Sequence, residues 1–238
     1  MDELLGLLAW GPTGWGDELA DGLKITVMLA LSTLPFGLVL GFFIALAKNA
    51  SEPALARAAN IYTTIFRGLP ELLTLFIVYY GGQIVLQRFV NLFTDTYVEV
   101  NSFVAGMVAL TLVFSAFASE VFLGALRAIA KGQIEAGMAL GLSRWSRMRF
   151  VILPQLIRYA LPGLSNLWLV LLKDTSLVSI IALNDLLRLT NIAVGATKEP
   201  FFFYAVACLL YLTLSLISSI GLGGIERYVN RGEQRGRA

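Results

Sequence analysis

Hydrophobic residues fall in five long runs, each bounded by short polar or charged stretches. A helix needs roughly 20 mainly apolar residues to cross about 30 Å of hydrocarbon. That criterion predicts five membrane-spanning helices, over residues 25–47, 69–86, 103–125, 159–181 and 201–225. The fourth run is the most polar, with Asn166, Lys173 and Asp174, and Pro162 and Gly163 near its start predict a bend. Between the third and fourth runs lies a charged segment, residues 131–154. Gly132 precedes a helix-forming stretch from Gln133 to Leu140, Glu135 suits the positive end of that helix dipole, and Gly141 breaks it. Beyond the break, Trp145, Met148 and Ile152 fall at i, i+3 and i+7 amid Arg144, Arg147 and Arg149. The pattern predicts a helix, turn and second helix along the membrane surface. Basic and apolar residues alone would suit a helix resting on anionic lipid. The small residues Ala136, Ala139 and Gly141 instead suit a partner protein's close approach.

Composition agrees with a polytopic, all-α membrane protein: 57% of residues are hydrophobic and 14% charged. One membrane domain accounts for residues 1–238, with no soluble domain or tandem repeat. The first 21 residues form an interfacial lead-in in which Trp10 and Trp15 suit the headgroup level. They lack the basic start and small-residue cleavage site of a signal peptide, so the first span is expected to be retained.

Lys and Arg are retained on the cytoplasmic side, which orients the chain. Before the first span Lys24 stands against Asp2, Glu3, Asp17, Glu18 and Asp21. The following loop holds Lys48, Arg57 and Arg67, residues 126–158 hold Arg127, Lys131, Arg144, Arg147, Arg149 and Arg158, and the tail holds Arg227, Arg231, Arg235 and Arg237. The N-terminus is therefore expected outside and the C-terminus inside.

Candidate chemistry is sparse. There is no histidine and a single cysteine, Cys208, read as an apolar packing residue, which disfavours a metal site, a histidine-based triad and an intramembrane enzyme. No GxxxxGK[ST] phosphate loop occurs, so any ATPase acting with this chain is a separate polypeptide.

Glu135-Ala136-Gly137, Gly141 and Ile152-Leu153-Pro154 together resemble the E-A-A…G…I-x-L-P signature of ATP-binding-cassette importer permeases. Gly137 replaces that family's second alanine, a small-for-small change. FRGLPELL at 66–73, GQIEAGMALGLS at 132–143, ILPQLIRYALPGLSN at 152–166 and LLKDTSLVS at 171–179 resemble polar amino-acid uptake permeases. YGGQI at 80–84, RYALPG at 158–163 and EPFFF at 199–203 resemble the Q-type subunit of histidine/lysine/arginine/ornithine and opine permeases. The resemblance implies a type I importer of the bacterial inner membrane with five spans per subunit. It also implies a second, similar membrane subunit, two cytoplasmic ATPases that bind the ATP and Mg, and a periplasmic binding protein. No cofactor belongs to this chain, and nucleic acid has no part. Residues 135–142, through Glu135, Ala136, Ala139 and Gly141, would form the coupling helix that docks on the ATPase. An autonomous channel or secondary transporter is the alternative class; it needs no such loop and often shows inverted repeats, which are not found.

Two intramembrane carboxylates, Glu120 and Asp174, are the candidates for contacting substrate, since a charge at the bilayer centre costs at least about 2.5–3.5 kcal/mol and usually faces a cavity or a partner. At 1.5 Å per residue Glu120 lies roughly 10 Å from Arg127, and Asp174 roughly 24 Å from Arg158. The family implies that both positions line the translocation path. Each has a structural alternative: Asp174 neutralising Lys173, and Glu120 holding an interhelical hydrogen bond beside Ser115 and Ser119. Arg67 and Glu71, at i and i+4, are expected to form a structural ion pair. Asn166, Trp168 and Tyr62 suit either a path or interhelical packing. Many relatives carry arginine at the position of Leu123, and its absence leaves Glu120 without that partner. Carboxylates facing a path favour a cationic substrate, in agreement with a basic amino acid or an opine.

Overall fold

The computed structural model describes the backbone of residues 2–234 and the side chains of 4–229. Arg235 and Arg237 lie outside the described residues, as do the side chains of Asp2, Glu3 and Arg231. The described chain is helical: α1 Asp2–Gly6, α2 Gly16–Lys48, α3 Pro53–Gly68, α4 Glu71–Val90, α5 Ser102–Ala128, α6 Lys131–Ala139, α7 Arg144–Ile181, α8 Leu186–Thr197 and α9 Pro200–Gln234. Five of these, α2, α4, α5, α7 and α9, are long and apolar enough to cross a membrane, and they contain or overlap the five predicted spans.

Local chemistry sets several helix ends. Asp17 and Glu18 lie in the first turn of α2 and Lys48 in its last, each complementing the helix dipole. The Asn101 side chain accepts from the N–H groups of Phe103 and Val104 to start α5. Gly141, at φ +71°, adopts the left-handed conformation that ends the turn after α6.

The bundle is centred on α2 and α5. A methyl group on Gly37 would sit 2.5 Å from Cδ1 of Phe114, and one on Gly41 2.9 Å from Cβ of Ala118. These glycines let the two backbones approach closely, the device that membrane helices use because lipid supplies no hydrophobic drive for association. Further along α5, Gly163 of α7 meets Val121 in the same way. Around these contacts Leu29, Leu110, Phe114, Phe122, Leu156 and Leu171 form the main core. Two buried hydroxyls are satisfied within their own helices: Thr33 donates to the Leu29 carbonyl at 2.8 Å and Ser119 to that of Ala116 at 2.7 Å.

Two expectations are corrected. The arginine-rich stretch from residue 144 is not a separate surface helix. It is the first part of α7, continuous with the fourth span through a π-helical turn at Met148–Ile152 that leads into Pro154. The helix also continues through Pro162 and Gly163, where Gly163 serves close packing on α5. The stretch after Lys48 is a 16-residue helix, α3, which starts at Pro53 after Glu52, a side chain that accepts from the Ala54 N–H.

A smaller core at the Gly16 end joins Leu19, Leu186, Ala193 and Phe203, with Trp15 packed on it, while Trp10 is exposed. Here α8 is pinned to α2. A methyl on Gly22 would lie 2.9 Å from Cα of Leu186, and the Leu186 N–H donates to Oγ1 of Thr26 at 3.2 Å. Asp185 is fully buried and caps α8 by accepting from the Arg188 N–H at 3.0 Å. Burial pushes its carboxyl up to about 6, against the pull of the N–H bonds it accepts.

Two outcomes follow. Gly41→Val, forced against Ala118, is expected to cost about 1–3 kcal/mol and to lower the amount of inserted protein, measured by detergent extraction and thermal aggregation. Asp185 binds a proton in the folded state between its ordinary pKa of 3.8 and about 6, where the unfolded chain has released it. Its contribution to stability therefore falls as pH rises through that window, by up to about 3 kcal/mol. Asp185→Asn keeps the cap, so wild type should lose thermal stability relative to this variant between pH 4 and pH 7. An unchanged difference would show that the buried carboxyl is neutralised by other means.

Candidate functional site

At its Lys48 end, α2 meets α3 and α5 through charge. Nζ of Lys48 lies 2.5 Å from Oε1 of Glu120, and the same oxygen accepts from Arg67 at 2.9 Å. Lys48 also donates to Oγ1 of Thr63 at 2.9 Å. One carboxylate thus ties three helices together. Its two partners differ in setting, since the Lys48 side chain is 5% exposed and that of Arg67 45%. The Arg67 guanidinium also stands over the Phe117 ring, 5.5 Å from its centroid, a distance at which the ring quadrupole attracts it. Nearby, Tyr62 donates to the Leu112 carbonyl at 3.0 Å and shares a hydrogen bond with Ser115 at 2.8 Å. Burial raises its phenol above the ordinary value, keeping the hydroxyl protonated as a donor.

Phe117 also borders a cavity of about 270 Å³ among α4, α5 and α7. Its walls are apolar, from Leu110, Val113, Phe114, Leu167, Val170 and Leu171. Its polar groups are Asn166 and two carboxyls, Glu71 and Asp174, and among the described residues no basic one lines it. An apolar pocket with a few convergent polar groups is the form small-molecule sites take. The two carboxyls are close enough to share a hydrogen bond, and Asp174 forms no ion pair with the neighbouring, exposed Lys173 among the described residues.

The sequence-predicted residues therefore separate. Asp174 and Asn166 reach the cavity. Glu120 does not line it and is not without partners, because Lys48 and Arg67 replace the cation missing at Leu123. The expected Arg67–Glu71 ion pair does not form; Arg67 turns to Glu120 instead. The physical reason is the extended backbone of Leu69 and Pro70 between α3 and α4, which breaks the helical register that i, i+4 pairing needs. Glu71 is the cavity residue that sequence reasoning assigned elsewhere. Its place at the start of an apolar span was the available signal. Trp168 packs on the main core and Tyr62 lies between α3 and α5.

The segment after α5 presents a second surface. Gly137 is buried: a methyl there would lie 3.1 Å from Cδ of Arg147, so glycine in the place of alanine admits the arginine stem. Glu135, Ala136, Ala139 and Gly141 are exposed, beside the exposed apolar side chains of Met138, Leu140 and Trp145.

The family model for the inner membrane component of binding-protein-dependent transport systems matches residues 37–231. The chain belongs to this family. It is similar to the nopaline transport system permease of Agrobacterium fabrum, with 42% identity over 230 residues covering 96% of this chain and 98% of the relative. It is also similar to the arginine transporter permease of Escherichia coli K12, with 40% identity over 230 residues covering 91% and 97%. Among solved structures, an amino acid ATP-binding-cassette transporter crystallised with histidines superposes with a TM-score of 0.77 at 32% identity, covering 90% of this chain and 95% of that one. The methionine transporter MetNI, in an inward-facing conformation, shares the fold with a TM-score of 0.69 at 19% identity, covering 90% and 96%. This permease accordingly has the type I importer fold and is a multi-pass membrane subunit of the amino-acid and opine uptake group. The autonomous channel and the secondary transporter are set aside. Its place among importer permeases implies an ATPase and a binding protein as partners.

Proposed function

We propose that this permease takes up a basic amino acid or a cationic opine through the cavity bearing Glu71 and Asp174. The observation that carries the reading is the charge of that cavity: two carboxyls, an amide and no base, within apolar walls. A guanidinium or ammonium group entering there meets charge-assisted hydrogen bonds in a setting of low dielectric, where they are strong. Asn166 adds a neutral donor and acceptor for orienting the substrate. The similarity to permeases named for arginine and for nopaline supports the same substrate class. Glu120, the other candidate, already shares its charge with Lys48 and Arg67 and acts at a distance from the bound substrate.

In this reading the chain works as one of two similar but different membrane subunits, driven by two cytoplasmic ATPases and supplied by a periplasmic binding protein. It hydrolyses nothing itself; ATP and Mg are bound by the ATPases. The Gly16 end faces the periplasm and the Lys48 end the cytoplasm, as the distribution of Lys and Arg requires. Glu135, Ala136, Ala139 and Gly141 then face the ATPase. Their small side chains admit its backbone, while Met138 and Leu140 supply apolar contact. Because the exposed turn leads directly into α7, a push on α6 is delivered to the helix that carries Asp174.

Asp174→Asn and Glu71→Gln each remove a charge at nearly constant shape. Each should weaken arginine uptake by the assembled importer in proteoliposomes by roughly ten- to a hundredfold, the worth of about 1.5–3 kcal/mol for one buried charge-assisted hydrogen bond. Binding of citrulline, the neutral isostere of arginine, should change little. An equal fall for both ligands would mean that the carboxyls are structural. For the coupling surface, Gly141→Val forces a β-branched residue to φ +71°. It should reduce ATPase co-purification and uptake together while insertion persists; retention of both would remove the docking assignment.

A further inference from the structure

We propose that Glu120 sets the preference for a cationic substrate without touching it, by holding the cation of Arg67 away from the Glu71–Asp174 cavity. The inference rests on the proposed binding of the substrate cation in that cavity. Three observations carry it. First, Arg67 is one side chain away from the cavity: its guanidinium stacks on the Phe117 ring, and Phe117 is part of the wall. Second, Glu120 is the carboxylate that engages Arg67 and Lys48 among the described residues, and it does so with a single oxygen, Oε1. Third, Glu71 lies four residues from Arg67 and forms no ion pair with it among the described residues.

Removing the Glu120 charge would leave the Arg67 cation beside a cavity lined by two carboxyls. The Arg67 stem is long and flexible, and its side chain is 45% exposed, so it can reorient. The carboxyls of the cavity that Phe117 borders are then acceptors open to it. An arginine of the protein's own would occupy the place of the substrate's cation, and the negative charge of the cavity would fall by one. Glu120 is thus a positioning residue. The sequestered Arg67 is the competitor it restrains. Lys48, buried and hydrogen-bonded to Thr63 as well, is held more firmly and stays with α3.

The test compares equilibrium binding of radiolabelled arginine and of citrulline to the complete membrane complex, both membrane subunits with their ATPases, for wild type, E120Q, R67Q and E120Q/R67Q. The expected result is an arginine affinity weakened by about tenfold or more in E120Q, with citrulline binding retained. Arginine affinity should return in E120Q/R67Q, because the competitor has gone. A merely structural Glu120 would lower both ligands together, and a Glu120 in direct contact with substrate would leave the double variant as weak as E120Q; either result overturns the proposal. So does an E120Q affinity equal to wild type. If E120Q fails to assemble, E120D is used in its place. Its shorter side chain cannot hold both cations at once, so arginine binding should weaken and recover when R67Q is added; absence of recovery again overturns the proposal. If Asp174→Asn and Glu71→Gln leave arginine uptake intact, the cavity reading itself fails. If they reduce it while R67Q gives no rescue, only this inference fails.

Discussion

Close approach of α2 and α5 is the constraint on which the rest of the architecture depends. In hydrocarbon, apolar side chains gain nothing by leaving lipid for one another, so association must come from packing at short range and from polar contacts. Gly37 and Gly41 bring the α2 backbone against Phe114, Ala118 and Ser115 of α5, and Gly163 brings α7 against Val121. With α5 held by α2 and α7, its inward positions fall into two zones. Toward the middle, Leu110, Val113, Phe114 and Phe117 form the apolar wall of the cavity. One turn further along, Glu120 reaches the end of α2 and the last turn of α3.

Charge is organised around that frame in two groups kept apart by Phe117. One group is net cationic, with a single carboxylate shared by Lys48 and Arg67. The other is anionic, with Glu71 and Asp174 facing the same space. The break at Leu69 and Pro70 creates the separation, since it directs Arg67 and Glu71 to different neighbours despite their spacing. A permease of this family must bind its cargo and then release it. A site built from a few charges in a low-dielectric setting is sensitive to small rearrangements of neighbouring charge. Membership of the family and the resemblance to a solved amino-acid transporter place this arrangement in a membrane subunit of an importer.

The continuity of α7 at residue 144 gives the proposed coupling a mechanical basis. A free surface helix would connect to the fourth span through a hinge, and motion would be lost there. Instead α7 runs from Arg144 to Ile181, its π turn accommodating Pro154 without a break. The α6 segment rests on its first turns through Gly137 and Arg147, so a displacement at the exposed surface is carried along a continuous helix.

What the sequence determined alone is the part governed by solvent. Length and apolarity define a span regardless of its neighbours, so five spans were legible, and the E-A-G…G…I-L-P pattern was sufficient to place the family. Asp174 was legible as well, because a carboxylate within an apolar run has few reasons to be there. The partners of those charges were not legible. Lys48 and Glu120 are 72 residues apart in the chain, and only the packing of α2 on α5 decides that they meet. The helix α3 was hidden because its apolar stripe is short and its polar face reads as a loop. Pairing of Arg67 with Glu71 followed from helical spacing, but the extended backbone at Leu69 and Pro70 cancels that geometry and gives Glu71 to the cavity. Spacing rules describe neighbours on one helix, whereas a charge in a membrane protein takes the partner that three-dimensional packing brings within reach.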